Sequence, residues 1–321
     1  METILIKKAS GESQLFSSEK LRHSLRRSGA GEFLVDFIVK DIESWIYDGV
    51  TSKEIYTRAY ALLSKKTAVG PAKKFIAPGA AGAGRGATGT DSDVDITSEK
   101  EFVGVHPGGH SYSVAARYKL KKAIMELGPT GHPFEHFVGE VYKVLGYKVE
   151  VAVVLQGHCV THEVDVVATQ NKDQYFIECK YYQTLGKNAN VHVPLYIRSR
   201  VDDIIKERQG KSAYAGYSFF GGVVTNTRFT EDATKFGICS GLHLLSWDFP
   251  VGNGLKDIID KYKIYPITVL SLLPTAVKQQ LMGQNIVLCN QIVANPKVLD
   301  LLVLDKIKRQ RIVEEARQIC A

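Results

Sequence analysis

Apolar and polar positions follow three regimes along the chain. Residues 3–8 and 14–16 read as two short strands around the polar turn Ser10-Gly11-Glu12. Ser17 suits a helix cap, and the helix it opens stops at Gly29. A second amphipathic helix spans residues 32–47, with Phe33, Phe37, Ile38 and Ile42 near helical spacing. The third opens on Thr51-Ser52-Lys53-Glu54, a capping box in which Thr51 and Glu54 satisfy free amides reciprocally. Periodicity vanishes over 69–112, a stretch rich in Gly, Ala, Ser and Asp whose buried area would not offset its ordering entropy. It returns as a fourth helix over 113–127.

Beyond Gly128-Pro129 the period changes. A helix over 133–145, with Pro133 in its first turn and Gly146 at its end, precedes strands at 148–155, 163–169 and 174–179. A helix at 201–209 and strands at 221–225 and 241–247 complete a mixed α/β unit. After residue 253 only short helices and small turns are expected. The chain thus divides into a mostly helical segment, 1–128, interrupted by an insertion at 69–112; an α/β segment, 129–250; and a helical segment, 251–321.

A length of 321 residues exceeds what one core usually organises, in keeping with that division. The net charge of +7 favours anionic partners such as nucleic acid or nucleotides. Nothing reads as a signal peptide or a long uncharged apolar run, so a cytoplasmic address without a membrane partner is expected. Five cysteines without CxxC spacing fit reduced thiols and give no zinc-finger framework.

The chemistry concentrates in His162-Glu-Val-Asp-Val-Val-Ala-Thr-Gln-Asn-Lys-Asp-Gln-Tyr-Phe-Ile-Glu-Cys-Lys180, two strands around a polar turn. Side chains alternate along a strand, so Glu178 and Lys180 share a face while Ile177 and Cys179 take the other. Asp165, on the partner strand, can meet Glu178 across the hairpin. Two such carboxylates make a hard oxygen site for Mg²⁺ or Mn²⁺. Lys180 beside them can orient or deprotonate a water that attacks a phosphodiester. Glu135 falls at the rim of the buried stripe Phe134, Val138, Val141 and Leu145, within reach of that metal or its waters. A bare D…ExK spacing is common by chance, and taken alone it describes an exposed charged hairpin.

Four motifs in order change that reading. GHPFEHFVGEVYKVLGYKV, HEVDVVA, FIECKYY and VVTNTRFTEDATKFG resemble the Mrr-like restriction endonucleases of the PD-(D/E)xK class, over residues 129–247. The resemblance implies a restriction-endonuclease-like mixed sheet flanked by helices and Mg²⁺-dependent DNA cleavage. It implies catalytic positions at Glu135, Asp165, Glu178 and Lys180, a metal held by Asp165 and Glu178, and an accessory role for Gln183. Gly157-His158 and His162-Glu163 stand where the family has a Gly-rich approach, which leaves substrate choice open.

ILIKKASGESQLFSSEKLRHSL, YDGVTSKEIYTRAYALL and VAARYKLKKAI resemble the ATP-cone, a nucleotide-sensing domain of ribonucleotide reductases and their repressor. This implies binding of ATP or dATP at Lys8 and Lys20, with Ser52 and Arg117 as weaker candidates. The inserted Gly84-Arg-Gly-Ala-Thr-Gly89 is formally GxGxxG but lacks the strand and helix of a dinucleotide site, and Asp91, Asp93 and Asp95 lack the remaining EF-hand residues. The C-terminal segment, with Lys306, Lys308, Arg309 and Arg311, resembles helix-hairpin-helix DNA-binding modules loosely. His132-Pro-Phe-Glu-His136 matches the inverted zinc-protease motif, but the nuclease pattern already accounts for Glu135. The expectation is therefore a nucleotide-regulated DNA endonuclease, assembled as a homo-oligomer. Its rival is a non-catalytic, nucleotide-responsive DNA-binding regulator on a retired nuclease fold.

Overall fold

A computed structural model describes residues 4–8, 11–65, 111–184, 186–300, 302 and 304–321. The Gly-rich run and the three alternating aspartates of the expected insertion lie outside the described residues. No helix among those described is long and apolar enough to cross a membrane.

The chain opens with an antiparallel pair, β1 (Leu5–Lys7) and β2 (Ser13–Leu15), followed by α1 (Ser18–Arg27), α2 (Glu32–Trp45) and α3 (Ser52–Lys65). Ser17 caps α1 by accepting from the Lys20 amide. The capping box forms as its spacing requires: Thr51 N donates to Glu54 Oε2 at 2.8 Å and Glu54 N to Thr51 Oγ1 at 3.2 Å. Leu25, Val35, Ile38, Ile42, Ala59 and Leu63 build a small core for these helices.

Next come α4 (Ser111–Ile124), α5 (His132–Val144), β3 (Lys148–Gln156), β4 (Thr161–Gln170) and β5 (Asp173–Lys180). They are followed by β6 (Asn188–Ala189), α6 (His192–Gln209), β7 (Ser218–Thr225), β8 (Arg228–Phe229), α7 (Glu231–Cys239) and β9 (His243–Leu245). The central sheet runs β3-β4-β5-β7-β9, antiparallel through β5 and parallel beyond it. A parallel step needs a crossover, and α6 and α7 supply the two. The short strands β6 and β8 pair separately.

Helix α6 begins nine residues before the expected start at 201. Pro194 stands in its first turn, where a missing amide hydrogen costs nothing, and Ile197, Val201 and Ile204 continue its buried stripe. That stripe, with Val164, Phe176, Val223 and Leu244, fills one face of the sheet.

The other face is covered by α5, and the core continues from it into α8 (Leu255–Tyr262), α9 (Thr275–Met282), α10 (Cys289–Ala294) and α11 (Lys306–Cys320). This core runs across both expected boundaries, at 128 and at 250. Helix α4 joins it through Ala116, Leu120, Ala123 and Ile124, while its own Val114 lies in the N-terminal core. Arg117 makes the same link in polar form, donating from Nε to Asp260 at 2.7 Å and to the Tyr265 hydroxyl at 3.1 Å.

Candidate active site

The site lies where two strands part. The β4–β5 register ends at the pair Val166 and Ile177, one step before Asp165 and Glu178 would face each other. On the other side of β4, the pairing with β3 skips the step between Val151–Val166 and Val153–Val164. The skipped β3 residue, Ala152, takes a left-handed φ of 55°. The pairs on either side keep one register, so no residue is inserted; the left-handed Ala152, opposite Asp165, interrupts the ladder on both strands. The carboxylate of Asp165 then replaces a main-chain acceptor, with Oδ2 taking the Cys179 N–H at 2.6 Å.

Glu178 and Lys180 emerge on the α6 face, as the alternation requires, with Ile177 and Cys179 in the opposite core. Glu178 is nearly buried and spends both oxygens on cations. Oε1 accepts from Lys180 Nζ at 2.8 Å and Oε2 from Arg200 Nη1 at 2.7 Å. Arg200 stands on α6, over the ring of Tyr196, and its other terminal nitrogen donates to the Glu163 carbonyl. No motif pointed to it, because the expected helix began one residue later.

The electrostatics separate the roles. Burial, and then the charge of Glu178, push the Asp165 carboxyl up to about 7, against the hydrogen bond from Cys179. Glu135 is likewise raised by burial, opposed by His132 and reinforced by the charges of Glu163 and Glu178. Glu135 thus feels the charges of Glu163 and Glu178, and Asp165 those of Glu178 and Glu135, so Glu163 adjoins a set the sequence had limited to three acids. Burial disfavours the Lys180 ammonium, but the hydrogen bond to Glu178 and the charges of Glu178 and Asp165 outweigh it and raise its pKa. Lys180 is therefore a charged donor at neutral pH, suited to orienting a water rather than deprotonating one.

The remaining expected residues lie elsewhere. Gln183 spends its amide N–H on the Pro129 carbonyl. Lys8 and Lys20 are exposed, at the end of β1 and on α1, and Ser52 is the first residue of α3. The Thr-Asn pair at the end of β7 supports the site instead. Thr225 Oγ1 donates to the Lys180 carbonyl at 2.8 Å, and buried Asn226 accepts from Tyr182 N at 2.9 Å and donates to Tyr182 O at 2.8 Å. Asn226→Ala leaves both Tyr182 groups unpaired, so it should cost about 2–4 kcal/mol of stability in denaturant unfolding. An unchanged midpoint would show that the clamp is dispensable.

The β3–β4 turn is anchored to α6 by Asp203, which accepts from Cys159 N at 2.8 Å and from His162 Nε2 at 2.8 Å. The His162 hydrogen bond, foremost, holds the Asp203 carboxyl well below the usual carboxylate range. Gly157 is required beside it, since a Cβ there would run into the Asp203 carboxylate and stand 2.7 Å from the Val160 carbonyl oxygen. The Gly157-His158 departure is thus a packing solution at the hairpin end.

Residues 129–248 match the family described as restriction endonuclease, and residues 265–320 match the one described as AF1548-like, C-terminal. An uncharacterised protein of Archaeoglobus fulgidus is 29% identical over 175 residues, which are 54% of this chain and 94% of the relative. The crystal structure of AF1548, a protein of unknown function, aligns with 60% of this chain and 98% of its own, at a TM-score of 0.50 and 27% identity. A restriction endonuclease, MspJI, in complex with a 27-mer oligonucleotide, aligns with 58% of this chain and 39% of its own. Its TM-score of 0.30 and 12% identity are too low to bear on the site. Residues 129–248 are thus similar to restriction endonucleases, and residues 265–320 to the C-terminal region of AF1548-like proteins.

Proposed function

We propose that the protein is a metal-dependent DNA endonuclease. The observation that carries this reading is the convergence of Asp165 and Glu178 beside a charged Lys180, within the domain that matches restriction endonucleases. The carboxylates suit Mg²⁺ or Mn²⁺. Burial first, and then the charge of Glu178, raise the Asp165 carboxyl, and a divalent cation between the two carboxylates would remove the repulsive part. Among the described residues no three His, Cys, Asp or Glu side chains gather as a metal site. Two carboxylates with the remaining positions left to water is an arrangement Mg²⁺ accepts.

When bound, the metal would neutralise charge on the scissile phosphate and acidify a water. Lys180 Nζ orients that water or donates to a phosphate oxygen. Glu135, a carboxylate raised by burial and outside the proposed pair of metal ligands, is suited to take the proton. Arg200 holds Glu178 in the metal-free state and must release Oε2 for it to bind a cation. Arg200→Met should therefore tighten Mg²⁺ binding roughly tenfold, the size of a neighbouring-charge effect of one pKa unit. Weaker binding would instead make Arg200 a brace that holds Glu178 in its metal-binding pose. The nuclease reading is tested by conversion of supercoiled plasmid to nicked and linear forms with Mg²⁺ or Mn²⁺ and not with EDTA.

We also propose that ATP or dATP binds the N-terminal helices at Lys8 and Lys20 and adjusts this activity. Helix α4 supports the coupling. It shares one core with those helices and the other with the nuclease sheet, and Lys121 Nζ donates to the Asn226 carbonyl at 2.7 Å, at the clamp behind Lys180. Coupling requires unequal nucleotide affinity for two states. If neither nucleotide changed cleavage rate or assembly, the regulation would fail. On α11, Lys306 and Arg311 are exposed cations available to a DNA backbone, whereas Arg309 pairs with Asp300.

A further inference from the structure

The two histidines at the start of α5 take no part in the chemistry above. His132 and His136 stand one helical turn apart with their Nε2 atoms 3.1 Å from each other and their rings edge to face. His132 turns its other nitrogen, Nδ1, toward Glu135 Oε2 at 3.4 Å. A carboxylate at Nδ1 keeps the proton there and leaves Nε2 with a lone pair pointed at His136. Two imidazole nitrogens bound at about 2.0–2.1 Å to a tetrahedral ion stand a little over 3 Å apart. The pair already has that separation, and the carboxylate behind one ring is the outer partner that metal-binding histidines use. Nitrogen donors select zinc-like borderline ions, whereas Mg²⁺ prefers oxygen. His132 is half-exposed, so water can supply the remaining ligands.

We propose that His132 and His136 bind a zinc-type divalent cation through their Nε2 atoms, and that this binding inhibits the nuclease by holding Glu135 on His132 and away from Asp165 and Glu178. Binding needs no net loss of protons. The proton that His136 Nε2 shares with His132 in the metal-free pair moves through solvent to Nδ1 of His136, and each ring then offers one lone pair. The inhibitory half rests on the nuclease reading; the binding half does not.

The test is calorimetric titration of the EDTA-stripped, dialysed full chain with Zn²⁺ in a non-coordinating buffer at pH 7.5, with millimolar Mg²⁺ present. We expect a site whose affinity falls ~10- to 100-fold or more in His132→Gln and in His136→Gln, with unchanged circular dichroism, and holds in Glu178→Gln. Affinity untouched by both histidine changes, or lost in Glu178→Gln, would place the ion at the carboxylates or at exposed Cys159 or Cys239 and overturn the proposal. Two variants guard against a local unfolding of one. Zn²⁺ should also suppress Mg²⁺-dependent plasmid cleavage in the native chain and much less in His136→Gln; equal suppression would overturn the inhibitory half. If the native chain cleaved nothing with Mg²⁺, the nuclease reading would fail while the calorimetry still decided the site.

Discussion

Asp165→Asn is expected to make the metal-free protein more stable at pH 8 while removing its metal-dependent cleavage. The Asp165 carboxyl titrates near 7 in the folded chain because it is buried and faces Glu178. In the unfolded chain it titrates near its ordinary value of about 3.9. A group whose folded pKa is raised contributes stability below its unfolded pKa and loses that contribution as pH rises through the folded one. The ionised side chain is therefore a cost that grows from about pH 4 to about pH 7 and is complete at pH 8. Asparagine avoids it and still offers an oxygen to the Cys179 N–H. The gain at pH 8 should be about 1–3 kcal/mol, less than the full shift implies because the group is only partly buried. Thermal unfolding in EDTA at pH 5 and pH 8 checks this, since the gap should widen with pH. Mg²⁺ should then stabilise the native chain and not the variant, as a ligand of the folded state alone must. A variant less stable than the native chain at pH 8 would show that Asp165 is held ionised by partners the account has missed.

Glu178→Gln should act on stability in the opposite sense although it removes the other proposed ligand of the same metal. Glu178 is 11% exposed and stands between Lys180 and Arg200. Glutamine keeps its shape but leaves two partly buried cations without their anion, a loss of about 2–3 kcal/mol, below the value for fully buried pairs. Cleavage should fall by ~10³-fold or more, as when a group that stabilises transition-state charge is removed. Denaturant unfolding of Asp165→Asn and Glu178→Gln side by side is the measurement. If both changes stabilised the fold, Glu178 would be as poorly compensated as Asp165, and the assignment of its cationic partners would be wrong.

These two residues were legible in the sequence because a hairpin with period-two alternation and a polar turn needs only local information. So were the capping box at Thr51 and Glu54 and the first-turn proline of α5. The left-handed Ala152 was not, since its conformation announces nothing in composition, yet it stands opposite the place where Asp165 leaves the ladder. Arg200 was hidden by a misplaced helix start. The apolar series Ile197, Val201 and Ile204 already ran through the missing turns, with Pro194 in the first of them. The third strand of the parallel half contracts to His243–Leu245, because Gly241 takes a positive φ in the turn before it and Trp247 leaves the ladder after it. The continuity of one core across residues 128 and 250 was beyond local reading. Helix α4 is apolar on two faces, one meeting α1 and α3 across the insertion and the other meeting helices more than a hundred residues further on.

Whether the hairpin carboxylates and Lys180 form a working nuclease site is decided by plasmid and linear DNA cleavage with Mg²⁺ or Mn²⁺, comparing the native protein with Lys180→Ala. Metal-dependent cleavage by the native chain is expected, with a loss of ~10²- to 10⁴-fold in the variant. DNA binding without cleavage under any metal would contradict it and assign the protein to the non-catalytic, nucleotide-responsive regulators on a retired nuclease fold.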